Sequence, residues 1–194
     1  MRRRTFDKLM STAGVVITVV LLAAGALLMV GYNFANGNVH DQLAAQKIFF
    51  PDKGSEGLKD PKIGPYLNKY AGQQLTTGAQ AEAYANHYIA VHIASTSGGK
   101  TYAEMGALTR ANPTDTKLAA ARETVFKGEA LRGMLLNAYA FWKVGQIAFI
   151  AAIAAFVGAG LMGLLSILGF WHSRRVSVEE EILAPKATMH PATV

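Results

Sequence analysis

Cysteine is absent from the 194 residues, which excludes a disulfide-stapled domain, thiol nucleophiles, CxxC redox chemistry, Cys-ligated zinc and iron–sulfur clusters. Charge is scarce as well: Asp, Glu, Lys and Arg make up 16% of the chain, against about 25% in ordinary soluble domains. The scarcity is concentrated, because Leu9 to His40 and Val144 to Ser173 contain none of the four. With 51% apolar residues, the chain is neither disordered, nor collagen-like, nor expected to be purely water-soluble. The net charge of +6 is not a nucleic-acid footprint, since residues 35–140 nearly balance with 11 Lys+Arg against 9 Asp+Glu. Also missing are GxSxG, HExxH, Walker A and Rossmann motifs. Neither an enzymatic activity nor a cofactor nor a nucleic-acid partner is therefore expected.

Each uncharged run exceeds the roughly 20 residues that cross a hydrocarbon layer about 30 Å thick. In lipid only a helix satisfies its own backbone groups over such a length. The sequence thus predicts an all-α chain in which two transmembrane helices form a hairpin and a small helical extracytoplasmic domain is inserted between them. The expected parts are a basic cytoplasmic N-terminus over 1–10, a first span over 11–33, the extracytoplasmic domain over 34–140, a second span over 141–172 and a cytoplasmic tail over 173–194, expected to be disordered. Orientation follows from Arg2, Arg3, Arg4 and Lys8 before the first span and Arg174 and Arg175 after the second, which put both termini in the cytoplasm of a plasma-membrane protein. Tyr32, Tyr139, Trp142 and Trp171 are the expected interfacial anchors. Arg3-Arg4-Thr5-Phe6 resembles a twin-arginine export motif, but Asp7 stands where an apolar residue is usual and the apolar run is too long, so a retained anchor is expected.

Between the spans, Pro and Gly punctuate a helical pattern. The first helix is expected to continue outward to Phe49, with Pro51 to Pro61 as loop. A short helix over Pro61 to Ala71 is expected to be interrupted by Gly64-Pro65. Thr77 with Gln80, and Thr101 with Glu104, have the spacing of capping boxes, which start helices running to about Ala94 and Ala111. Asn112-Pro113 is expected to open a long helix that runs on into the second span.

Chemistry-bearing residues are few. The histidines are His40, His87, His92, His172 and His190. His87 and His92, five residues apart, diverge by about 140° on a regular helix. A two-His-one-carboxylate iron site drawn from His40, His87 or His92 with Asp41, Glu82 or Glu104 is the alternative to surface or capping roles. Small residues are more informative. Ala151, Ala155, Ala159 and Gly163 recur every four residues with Gly158 on the adjacent ridge, and close approach at small residues is the usual basis of helix association in lipid. The stripe faces either the first span, through Gly14, Thr18, Ala24 and Gly25, or another subunit. Ile48, Phe49, Phe50 and Pro51 are expected either as an outer contact surface or as part of the outer domain's core.

Several stretches carry a resemblance: Asn38-Val39-His40-Asp41-Gln42-Leu43, Gln46-Lys47-Ile48-Phe49-Phe50-Pro51, Ile63-Gly64-Pro65-Tyr66-Leu67-Asn68, Tyr70-Ala71-Gly72-Gln73-Gln74-Leu75 and Leu135-Leu136-Asn137-Ala138-Tyr139-Ala140-Phe141-Trp142. Over nearly the whole chain it resembles a largely uncharacterised actinobacterial two-span membrane protein family. The resemblance implies a plasma-membrane protein with an extracytoplasmic helical domain and no assigned catalytic residue. Some relatives carry a ring-opening dioxygenase label, which the histidine spacing here does not support. Three functions are open on the sequence. They are a non-enzymatic accessory or scaffold subunit that binds another membrane protein or a second copy of itself, an extracytoplasmic ligand sensor without an output domain, and an iron-dependent dioxygenase.

Overall fold

The structure is a computed structural model that describes residues 2–177; the expected tail from residue 178 onward, with His190, lies outside the described residues. Among the described residues the fold is all-helical. Its elements are α1 (Arg3–Ala45), α2 (Glu56–Lys59), α3 (Gly64–Leu67), a 3-10 turn (Asn68–Tyr70), α4 (Gly78–Tyr84), a wider π-helical stretch (Ala85–Ile89), α5 (Ala90–Ser97), α6 (Tyr102–Ala111) and α7 (Thr116–Arg175). The chain divides into two compact units, Met1–Met29 with Phe149–Val194, and Val30–Ala148.

In the first unit, parts of α1 and α7 pack against each other in opposite directions. Ser11, Gly14, Thr18 and Gly25 meet Gly169, Ser166, Gly163 and Phe156 respectively, so rising numbers on one helix meet falling numbers on the other. A Cβ added at Gly14 would overlap Ser166 Oγ, and one at Gly169 would overlap Ser11 Oγ; the backbones approach only because both positions are glycine. The covered positions follow steps of three and four. On the part of α7 in this unit the most deeply buried are Ala152, Ala159, Ser166 and Ser173, each seven residues after the last. A seven-residue repeat is the signature of left-handed pairing. The seam's hydroxyls are satisfied within their own helices: Thr18 Oγ1 donates to Gly14 O at 2.8 Å and Ser166 Oγ to Met162 O at 2.7 Å. Large side chains point outward, with Leu27 at 73%, Leu165 at 63% and Ile167 at 65% exposed.

The second unit has a buried core that includes Leu43, Phe50, Leu67, Leu75, Ala85, Ile89, Val125 and Leu135. Its short helices start where local chemistry says they should. The Thr77 hydroxyl accepts from Gln80 N at 3.2 Å, while Gln80 Oε1 accepts from Thr77 N at 3.0 Å, which satisfies two otherwise orphaned donors. Thr101 and Glu104 repeat the arrangement at α6. Arg132 donates to Asn86 Oδ1 at 3.2 Å, tying the π-helical stretch to α7.

Several boundaries differ from expectation. α2 (Glu56–Lys59) forms inside the stretch expected as loop, and α5 runs to Ser97 rather than Ala94. α1 ends at Ala45 rather than continuing to Phe49. Gln74 Nε2 donates to the terminal Ala44 carbonyl at 2.8 Å, Lys47 adopts a positive φ, and residues 48–51 then pair with 72–75 through Phe50 N to Gln73 O and Leu75 N to Ile48 O, each 2.9 Å. Gly64-Pro65 opens α3 instead of interrupting it, because a first-turn proline has no N–H to leave unpaired. α7 begins at Thr116, with Asp115 Oδ1 accepting from Leu118 N at 2.9 Å, so Asp115 and not Asn112 supplies the cap.

Candidate functional site

The four described histidines do not converge. His40 Nδ1 lies 3.1 Å from Asp41 Oδ1 on the surface. The His87 ring stacks on Tyr66 with centroids 3.6 Å apart. His92 Nδ1 lies 2.7 Å from Tyr88 O, which occupies that nitrogen as a donor. His172, in the other unit, lies 3.9 Å from Asp7. Among the described residues no group of three His, Asp or Glu side chains is close enough to hold a metal.

A concavity lies within the second unit, between the last turns of α1 and residues 131–141 of α7. It is a groove of about 430 Å³ lined by Asn38, Val39, Gln42, Leu43, Gln46, Ile48, Leu131, Met134, Leu135, Asn137, Ala138 and Phe141. Its floor is apolar, because Val39, Leu43 and Leu135 are buried. Asn38 and Gln42 fall four residues apart on one face of α1, and Gln46 follows immediately after the helix ends at Ala45. Gln42 Nε2 donates to Asn38 Oδ1 at 2.7 Å. Opposite stand Leu131, Met134 and Phe141, 38%, 70% and 43% exposed. No ionisable residue lines the groove.

A smaller hollow of about 230 Å³ is lined by Tyr84, Tyr88, His92 and Thr96 on one helix and Thr124, Gly128 and Leu131 on α7. Its rings form a ladder in which Phe50 meets Tyr84 edge-on at 5.4 Å, Tyr84 meets Tyr88 at 4.7 Å and Tyr88 meets His92 at 4.4 Å. Burial, with Tyr88 beside it, pushes the Tyr84 phenol up to about 12. Two surface carboxylates move the other way. Glu104 is held below the usual range by hydrogen bonds from the Thr101 backbone and hydroxyl, and Glu123 by its hydrogen bond with Lys127 at 2.7 Å. None of the three has the proton-accepting character near neutrality that a general base needs.

The residues singled out in the sequence are divided between the two units. Ala159 lies in the seam of the first unit and Gly163 against Thr18, with Gly158 near Leu21; Ala151 and Ala155 are half-buried at its edge. Of the four residues expected either as an outer contact surface or as core, Phe50 takes the core place: it is 2% exposed, because the pairing of 48–51 with 72–75 turns alternate side chains inward. Phe49 is 57% exposed, and Ile48 and Pro51 are half-buried. Tyr139 and Trp142 lie together, ring centroids 6.2 Å apart. Tyr32 is half-buried. In the first unit, Trp171 is 53% exposed beneath the Arg175 guanidinium at 3.9 Å. The groove was not among the expected sites, although the four-residue spacing of Asn38, Gln42 and Gln46 was a readable signal for it. Comparison with family models, with curated proteins and with solved structures gave no match.

Proposed function

We propose that the chain is an integral protein of the plasma membrane, with two spans and both termini cytoplasmic, that acts as a non-enzymatic accessory or scaffold subunit. The reading rests on one observation above others. α1 and α7 are both long and apolar enough to cross a bilayer, and only 11% of each apolar window is buried. A core helix of a water-soluble protein would be mostly covered; here the large aliphatic side chains are outermost, which suits hydrocarbon and not water. A cleaved leader would have no reason to pack glycine to serine along its length, as α1 does against α7. Orientation is supported by Arg2, Arg3, Arg4, Lys8, Arg174 and Arg175. An outer domain over residues 34–140 then presents its surface to another membrane protein or to a second copy. Resistance to alkaline extraction, cytoplasmic activity of a reporter fused after Arg175 and external activity of one inserted at Gly99 are the expected results. Release into the supernatant, or an external reporter after Arg175, refutes the topology. Failure of any protein to co-purify from native membranes in mild detergent refutes the accessory role.

A second reading, an extracytoplasmic ligand sensor, is favoured by the groove beside Asn38, Gln42 and Gln46. It predicts that a bound ligand raises the thermal stability of the full chain.

A further inference from the structure

The geometry points to the groove between α1 and α7 as a binding site for a neutral amphiphile, a lipid whose headgroup is uncharged and rich in hydroxyls, such as a glycolipid. The inference rests on the membrane reading above. Three features of the groove select this occupant.

The first is the absence of any ionisable side chain from the lining. A phosphate or carboxylate headgroup would enter without a counter-charge, and an unpaired charge on a partly desolvated surface is unfavourable. Carboxamides, by contrast, offer donors and acceptors together and match hydroxyls of either sense. Four of them, Asn38, Gln42, Gln46 and Asn137, line the groove.

The second feature is its mixed lining. Asn38 and Gln42 of α1, with Gln46 just past its end, line the groove together with Leu131, Met134, Asn137 and Phe141 of α7, so hydrogen-bonding groups for a polar head and apolar surface for an acyl chain lie side by side. Phe141 stands at the end of this apolar surface, and Val144, 62% exposed, lies about one turn further along α7. An acyl chain lying over Leu131, Met134 and Phe141 runs along α7 toward Val144.

The third is size. At about 430 Å³ the groove falls in the small-molecule range of roughly 300–1,000 Å³.

The test uses the full chain in lipid nanodiscs with two probes that share a diazirine-bearing acyl chain, monoglucosyl diacylglycerol and phosphatidylglycerol. Adducts are mapped by mass spectrometry. The glucosyl probe is expected to mark Leu131, Met134 and Phe141 at least five-fold more, relative to Leu27 and Leu165, than the phosphatidylglycerol probe does. Gln42→Leu with Asn137→Leu, at unchanged thermal stability, is expected to abolish that excess. Equal groove labelling by both probes, an excess that survives the double substitution, or capture of a polypeptide by a photoreactive residue at position 134 overturns the inference while leaving the spans intact. No labelling at Leu27 or Leu165 by either probe overturns the membrane reading itself.

Discussion

Gly78→Ala offers a sharp test of the packing in the second unit, because its sign depends on a single neighbour. Gly78 is the first residue of α4 and its φ is not positive. Judged by backbone alone, alanine there stabilises by about 0.4–1 kcal/mol through the unfolded chain. The neighbour reverses this. A Cβ at position 78 would overlap Trp142 Cβ and lie 2.5 Å from Cγ and 2.8 Å from Cδ2. Trp142 Cβ is fixed to the α7 backbone, so no rotamer change relieves the overlap and one helix has to shift. Overpacking of this kind costs about 1–3 kcal/mol, and for a chain of this size each kcal/mol lowers Tm by about 2–4 °C. Gly78→Ala is therefore expected to lower Tm by about 2–12 °C, read by far-ultraviolet circular dichroism of the full chain in detergent. The informative arms are double substitutions. In a Trp142→Ala background the Cβ overlap survives and a loss remains. In a Trp142→Gly background the overlap is gone, and Gly78→Ala is expected to be neutral or stabilising. A loss of equal size in both backgrounds would refute the assignment of the strain to Trp142.

Thr77→Ala removes the hydroxyl that accepts from Gln80 N and is expected to cost about 1 kcal/mol, visible as a lower Tm that Thr77→Ser largely restores. Gly14→Leu places a branched side chain against Ser166 and Met162; it is expected to separate the helices of the first unit, lowering the yield of a disulfide between cysteines placed at positions 18 and 163. Tyr84 is expected to ionise near 12 in a titration followed by ultraviolet absorbance. Its folded value is raised above the unfolded one of about 10, so its stabilising contribution is complete below pH 10 and is lost as pH rises toward 12; Tyr84→Phe should flatten that loss. Glu104 shows the opposite sign: its depressed value contributes stability above the ordinary carboxylate range, lost as pH falls through the lower folded value. Thr101→Val should return the Glu104 carboxyl toward its usual titration, measured by carbon-detected NMR.

Local chemistry decides the features that were readable in the sequence. Both capping boxes announce their helices because a hydroxyl and a carboxylate or carboxamide three residues apart satisfy orphaned N–H groups without help from elsewhere. The two apolar helices were equally plain, since absence of charge over such lengths has few other causes. The end of α1 was not readable, because nothing near Ala45 stops the helix; it is the chain at 72–75, far away in sequence, that pairs with residues 48–51. For the same reason Phe50 looked as eligible for the surface as Phe49. The seam of the first unit was half readable. Counting small residues found Ala159 and Gly163, but a four-residue ladder was drawn where the pairing follows a seven-residue one, and only contact with the opposite helix distinguishes the two. The groove's amides were visible as letters, yet their meaning depends on Met134 and Phe141 lying opposite.

The wide turn at Ala85–Ile89 has a bearing on how this chain can change in length. Ala81, Ala85, Ile89, Ile93 and Ser97 are all buried, yet steps of four on a regular helix drift by about 40° each, enough over this distance to carry the last of them to the opposite side. A π-helical stretch absorbs one surplus residue and brings the row back into line. Deleting a single residue inside it would therefore leave both flanking faces pointing inward, whereas the same deletion in α5 would swivel everything downstream by about 100°. A descendant one residue shorter between Gly78 and Ser97 should have its alignment gap here.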